Sequence, residues 1–229
     1  MGKEDEQMKS LQYVFFDFDG TLVDSSEGIV NAINYACEKF GRPEVTMQDA
    51  WKFIGPPLYD IFATLWETTD DAVITSGIKT FREYYSQYGV KEACFYEGVI
   101  PLLKRLSEAG LKLYIVSSKP VVFIDNIVKR YDIGKYFAGT VGVSLKYRDL
   151  SKAERMGSLM REQNITADEV IMVGDRPEDV LAGKANGVKT LGVLYGFGTE
   201  QMLTEAGVWQ MAKSPQAVGD ILLSLRRDF

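Results

Sequence analysis

Residues 13–25, YVFFDFDGTLVDS, place two aspartates one residue apart at the end of an apolar run, with Gly20 and Thr21 directly behind them. The run is aromatic and β-branched, so it reads as a short buried strand. Period-two alternation puts Asp17 and Asp19 on the same side. Two carboxylates held close cannot both ionise cheaply. The pair must either separate its proton affinities or share a cation.

Four more apolar runs read as strands: LKLYIVSS (111–118), GTVGVS (139–144), EVIMVGD (169–175) and KTLGVLYG (189–196). Near-continuous apolar runs suit strands covered on both faces, as in a parallel sheet. Helical segments lie between them. Residues 99–109 set Leu102, Leu103 and Leu106 on one face, with Pro101 in the first turn and Gly110 at the stop. Ser151 and Glu154 form a capping box at the head of residues 152–163. Ser214-Pro215 opens a last helix with Val218, Ile221, Leu222 and Leu225 inward. The alternation predicts an α/β fold, a doubly wound Rossmann-like parallel sheet.

Residues 24 to about 97 break the alternation and show no strand pattern. Ile29, Ile33, Cys37 and Phe40 fall at helical spacing, as do Ile74, Ile78, Phe81, Tyr85 and Tyr88, and Gly55-Pro56-Pro57 separates the two stretches. The expected organisation is a catalytic core of residues 1–23 and 98–229 with a small α-helical cap domain, residues 24–97, inserted into it. The aromatic residues of 81–88 read as the interior of that insert.

In parallel sheets ligands collect at the carboxyl ends of the strands. Asp17, Ser117 and Asp175 each end a predicted strand and would meet at one edge. Asp179, in VGDRPED, adds a further carboxylate. Hard oxygen donors without histidine or thiolate select Mg²⁺. A nucleophilic Asp17 beside a proton-donating Asp19 is the pattern for covalent phosphoryl transfer. Ser117 and Ser118 offer hydroxyl and amide donors to phosphate oxygens, and Lys152 can balance phosphate and carboxylates. Lys146, Arg148 and Arg155 compete for the role of Lys152, while Lys119 and Arg176 read as supporting or surface residues. Taken singly, Asp-x-Asp-Gly is an Asx turn, Gly-Asp a loop start and Ser-Ser-Lys-Pro a helix cap. Their joint placement at strand ends argues for a site.

Composition narrows the chemistry. The 229 residues are 46% hydrophobic and 12% aromatic, enough for a substantial core, and carry a formal charge of −6. That charge argues against nucleic acid. An anionic ligand would need the sign reversed locally. Histidine is absent, which removes Ser-His-Asp and Cys-His catalysis and His-ligated zinc. The two cysteines, Cys37 and Cys94, have no metal or redox spacing and suit a reducing compartment. No window has the length of a membrane span. The first residues are charged from Lys3, and Glu6 stands where a myristoylation signal wants Ser or Thr. A cytoplasmic protein with no membrane partner is expected; oligomeric state is not readable.

The chain resembles the haloacid dehalogenase superfamily of phosphohydrolases, and within it the phosphoglycolate phosphatase-like group. DFDGTLVDS resembles the first motif, VSSKP the second, Lys152 in SKAERM the third and VGDRPEDVLAGKANG the fourth. FIGPPL (53–58) and FYEGV (95–99) are similar to cap and hinge segments of that group. The resemblance implies that Asp17 attacks phosphorus and that Asp19 protonates the leaving oxygen and then activates water. It implies Mg²⁺ held by Asp17, the Asp19 main-chain carbonyl and Asp175, with Asp179 behind them, and phosphate bound by Ser117 and Lys152. Relatives often carry Leu-Asp-Gly before the third-motif lysine; LKYRD (145–149) here keeps Lys146 in competition.

The expected activity is Mg²⁺-dependent hydrolysis of a small-molecule phosphate monoester, such as phosphoglycolate, a nucleoside 5′-monophosphate or a sugar phosphate. A phosphomutase of the same family is the nearest alternative. A phosphorylation-switched signalling or binding domain is more distant, since such domains lack the insert and order their acidic residues differently.

Overall fold

The run carrying the two aspartates becomes β1 (Tyr13–Phe16) at the middle of the sheet, in a computed structural model that describes residues 11–145 and 150–226. After β1 the chain makes β2 (Val23–Asp24) and enters the insert. The insert contains α1 (Ser26–Lys39), a 3₁₀ turn (Met47–Lys52), α2 (Leu58–Leu65), α3 (Asp71–Tyr84), a π turn (Tyr85–Gly89) and α4 (Val90–Glu92). It closes with β3 (Cys94–Phe95), and the core resumes with α5 (Val99–Glu108), β4 (Lys112–Pro120), α6 (Val121–Arg130) and β5 (Phe137–Val143). The chain ends with α7 (Lys152–Gln163), β6 (Val170–Gly174), α8 (Pro177–Ala185), β7 (Lys189–Val193), α9 (Glu200–Ala206), β8 (Gln210–Ala212) and α10 (Pro215–Ser224).

Among the described residues the main sheet has the order β5-β4-β1-β6-β7-β8. Every neighbouring pair in it is parallel. β1 is continuously apolar because both of its faces are covered. Val14 and Phe16 pack with Leu103 and Leu106 of α5 and Ile124 and Ile127 of α6. Phe15 points the other way, into Met156 and Leu159 of α7 and Ala182 of α8. Each such buried side chain stabilises by roughly 1.5–3 kcal/mol. The helix signals hold: α5 buries Leu102, Leu103 and Leu106, and Ser151 and Glu154 complete both bonds of a capping box at α7.

Three expectations are corrected. Residues 24–97 are not free of strand: β2 and β3 pair antiparallel, Val23 with Phe95 and Asp24 with Cys94, so the two connections to the insert run side by side. Two-residue strands are too short to show a period. β8 was not predicted, because a three-residue edge strand with an exposed Gln210 and a half-buried Met211 has no apolar run. In the insert, Ile29, Ile33, Cys37, Ile74, Phe81 and Tyr85 are buried, but Tyr88 is 52% exposed. The π turn adds a residue to the helical repeat and rotates Tyr88 out of the stripe. Phe40 also lies at the surface, with its ring against Trp66 at 4.9 Å.

Among the described residues no helix is long and apolar enough to cross a membrane. The expectations about residues 1–10, and Lys146 and Arg148 as competitors of Lys152, lie outside the described residues.

Candidate active site

β1 and β6 are adjacent and in register, Phe16 opposite Val173. The residues that follow both strands therefore emerge together. The Asp17 amide continues the ladder to the Val173 carbonyl at 2.9 Å. Asp175 stands one residue past β6. Ser117 lies inside β4 rather than at its end, but the pairing of β4 with β5 is interrupted between Val116 and Pro120. That irregularity turns Ser117, Ser118 and Lys119 toward the same edge, and all three line one pocket with Asp17, Asp19 and Lys152.

Asp17, Asp175 and Asp179 are buried and can bring one carboxylate oxygen each to within 4.8 Å of the others. The Asp19 carboxylate is not in this cluster. Gly20 makes the approach feasible. It has φ +84°, and a Cβ on it would sit 2.2 Å from Asp175 Oδ2. Asp175 accepts hydrogen bonds from the Thr21 hydroxyl (3.1 Å) and the Phe197 amide (2.8 Å). These do not offset its surroundings. Burial, then the charges of Asp179 and Asp17, push its pKa up to about 8. Burial also raises Asp179, to about 6, against the pull of Lys152. The cluster is short of positive charge. The donor set, three carboxylates with no histidine or thiolate, fits a hard divalent cation such as Mg²⁺.

Lys152, the first residue of α7, reaches into the cluster. Its Nζ donates to Asp179 Oδ1 at 2.5 Å and lies 2.9 Å from Asp17 Oδ1. The second contact is an ion pair without hydrogen-bond alignment, so Asp17 Oδ1 is enclosed and without a hydrogen-bond donor. Burial alone would lower the Lys152 pKa, but Asp17 and Asp179 outweigh it and hold the ammonium charged. Asp179 Oδ2 accepts from the Arg176 amide at 3.0 Å. Asp179 thus ties the head of α8 to Lys152. Arg155 turns away, to the Leu150 carbonyl and the Ser118 hydroxyl. The Ser117 hydroxyl accepts from the Lys119 amide at 3.2 Å, which leaves its own proton to donate. Ser118 is exposed at the pocket rim.

Asp19 has a separate partner in Lys119, which the sequence left as a supporting or surface residue. Lys119 is 6% exposed. It donates to both Asp19 oxygens, at 2.9 and 3.1 Å, and to the Tyr85 hydroxyl at 2.6 Å. Its Nζ also lies 4.7 Å from the Tyr85 ring centroid. Burial lowers the Lys119 pKa, but Asp19 and Tyr85 raise it by more, and it stays charged. Lys119 therefore links the core to the π turn of the insert. Arg176, the other residue read as supporting or surface, is 7% exposed and donates to the Trp51 carbonyl at 3.4 Å. The insert's aromatics are not interior only: Phe81 and Tyr85 wall the pocket with Phe53 and Leu58. No sequence signal joins Lys119 to Tyr85, 34 positions away. The Ser-Ser-Lys-Pro stretch at a strand end could have drawn attention to Lys119.

Comparison with known proteins agrees with this geometry. Residues 14–193 match the family described as haloacid dehalogenase-like hydrolase. A 5′-nucleotidase of Pseudomonas aeruginosa is 33% identical over 190 residues, covering 83% of this chain and 86% of that protein. A phosphoglycolate phosphatase of Vibrio parahaemolyticus is 26% identical over 224 residues, 95% of each chain. The crystal structure of a predicted phosphatase from Clostridium acetobutylicum superposes with a TM-score of 0.88 at 34% identity, over 94% of this chain and all of that one.

Proposed function

The chain belongs to the haloacid dehalogenase-like hydrolase family and is a phosphoric monoester hydrolase, and from that premise we propose that it is a Mg²⁺-dependent phosphatase of small phosphate esters that works through an aspartyl-phosphate on Asp17. The observation that carries the reading is the Asp17 carboxylate. It is buried at a strand end, paired with Lys152, and has one oxygen enclosed without a hydrogen-bond donor. A carboxylate that lines the pocket and is held there by a lysine is placed to form a bond to phosphorus.

In the first half-reaction Asp17 attacks phosphorus and the leaving alkoxide takes a proton from Asp19. In the second, Asp19 removes a proton from water, the water oxygen bonds to phosphorus, and the Asp17 carboxylate is released with inorganic phosphate. Asp19 ends protonated, ready for the next ester. Lys119 fixes the Asp19 rotamer through both oxygens. Ser117 and Lys152 bind the phosphoryl oxygens, Lys152 having been held in place by Asp179. Ser118 sits at the rim, where its hydroxyl can assist. Asp17 and Asp175, with the Asp19 main-chain carbonyl, would hold Mg²⁺, and Asp179 would steady the set from behind. The ion supplies positive charge against the carboxylates and the transferring phosphoryl group.

Residues 24–97 act as a cap that closes over this edge, because Tyr85 and Trp51 already contact Lys119 and Arg176 of the core. Closure excludes bulk water from the aspartyl-phosphate. The substrate is a small phosphate ester, and a cytoplasmic location suits two unpaired cysteines. The test is phosphate release from a panel of phosphoglycolate, nucleoside 5′-monophosphates and sugar phosphates, with Mg²⁺ or EDTA. Release that needs Mg²⁺ and is lost in Asp17→Asn supports the reading. Formation of an isomeric ester without free phosphate would favour a phosphomutase.

A further inference from the structure

The cap side of the pocket holds one charge that the hydrolytic machinery does not use. Arg82, on α3 between Phe81 and Tyr85, lines the pocket that contains Asp17, Asp19 and Lys152. Its Nε is enclosed and has no hydrogen-bond partner among the described residues. No carboxylate of the described residues stands against it. Burial is the single influence on its pKa, and it acts downward. The acids of the pocket are engaged elsewhere: Asp17 with Lys152, Asp19 with Lys119, and Glu178 alongside Arg176 at 3.9 Å. Of the four cations that line the pocket (Arg82, Lys119, Lys152, Arg176), Arg82 is the one without an acidic partner among the described residues. The pocket that Arg82 lines also has apolar side chains in its wall, Phe81, Leu58 and Phe123 among them. A guanidinium half-buried against such a wall is poorly solvated and gains from an anionic partner.

Building on the phosphatase reading, we propose that the substrate is a phosphate monoester whose leaving group carries a second anionic group, a carboxylate or another phosphate, and that Arg82 binds that group. The phosphoryl group occupies the core end of the pocket, at Asp17, Ser117 and Lys152. The second anion lies toward the cap. Arg82 is then a specificity residue, and neutral leaving groups such as nucleosides and unmodified sugars leave it without a partner. A charge-assisted hydrogen bond of this kind corresponds to roughly ten- to hundredfold in discrimination.

The experiment compares kcat/KM with Mg²⁺ for two matched pairs, 2-phosphoglycolate against 2-hydroxyethyl phosphate and 4-carboxyphenyl phosphate against phenyl phosphate. Wild type, Arg82→Met and Arg82→Lys are measured. Taking the ratio within a pair and comparing it between variants cancels intrinsic leaving-group reactivity. The expected result is a wild-type preference for the anionic member in at least one pair, reduced about tenfold or more in Arg82→Met and partly kept in Arg82→Lys. An unchanged ratio in Arg82→Met overturns the proposal, even if both esters slow equally, because equal loss means that Arg82 serves cap closure or the phosphoryl group. No wild-type preference in either pair also overturns it. If wild type hydrolyses none of the four esters but releases phosphate from a nucleoside 5′-monophosphate or a sugar phosphate, this inference is overturned and the phosphatase reading stands; release from none of these esters ends both.

Discussion

The two walls of the pocket are built on opposite principles. On the core wall the lysines are engaged with acids of the protein: Lys152 joins Asp17 and Asp179, and Lys119 joins Asp19. On the cap wall Arg82 has no such partner among the described residues, and Phe81, Phe53 and Leu58 line the same pocket. A preorganised, internally satisfied network suits chemistry that is the same for every ester. A lone cation on an apolar wall suits recognition of what differs between esters. On the proposed reading, reaction and selection divide between strand ends and an inserted helix.

The largest expected effect sharpens that division on the core side. Asp17→Asn keeps the shape but removes the nucleophile, and turnover should fall by roughly 10⁴-fold or more. The loss should be the same for every ester tested. A loss that varies strongly with the leaving group would break the comparison.

Asp19→Asn should cost about 10²–10⁴-fold on esters of ordinary alcohols. The cost should shrink for p-nitrophenyl phosphate, whose leaving group needs no proton. Equal loss on both esters would show that the role of Asp19 is confined to activating water.

An intermediate effect concerns Lys119, where the two walls meet. Lys119→Met leaves Asp19 without its partner and should reduce kcat about ten- to hundredfold. Tyr85→Phe removes one hydrogen bond to Lys119 and should reduce it roughly fivefold. If Tyr85→Phe is the more damaging of the two, the linkage from cap to core matters through closure, not through the Asp19 rotamer.

The smallest effect on activity, though not on stability, concerns pH. With EDTA present, the folded-state pKa of Asp175 lies near 8, above its ordinary value of 3.8. A raised carboxylate pKa contributes stability that is full below the unfolded pKa and is lost as pH rises through the folded one. The melting temperature in EDTA should therefore fall between about pH 5 and pH 8. Mg²⁺ should restore it, most strongly at the upper end. Asp175→Asn should flatten the EDTA profile and weaken the Mg²⁺ shift. A profile in Asp175→Asn identical to wild type would remove Asp175 from the cation site.

Much of the core wall was legible in the sequence because its signals are local. An apolar run that stops at Asp17 or Asp175 marks a strand end, and parallel strands bring their ends to one edge. The capping box placed Lys152 at a helix head. The cap wall was far less legible. Nothing in a helical stripe distinguishes Phe81 and Tyr85 as pocket walls from interior residues. The π turn that exposes Tyr88 alters the repeat, and the glycine that ends it, Gly89, reads as an ordinary helix stop. Lys119 lies 100 positions from Asp19, and only folding brings them to 2.9 Å. Nothing in the sequence singles out Arg82, since its lack of a partner among the described residues is a property of the packed state.

The central claim is that a carboxylate at the end of β1 carries the phosphoryl group. The most direct measurement is an acid-quenched single turnover with Mg²⁺ and the best ester of the panel, followed by mass spectrometry of the intact protein and of the peptide spanning residues 13–25. The account predicts a transient gain of one phosphoryl group on that peptide, located at Asp17, decaying at the rate of phosphate release and absent in Asp17→Asn. Release of phosphate with no phosphoprotein at any quench time, together with turnover in Asp17→Asn, would contradict it.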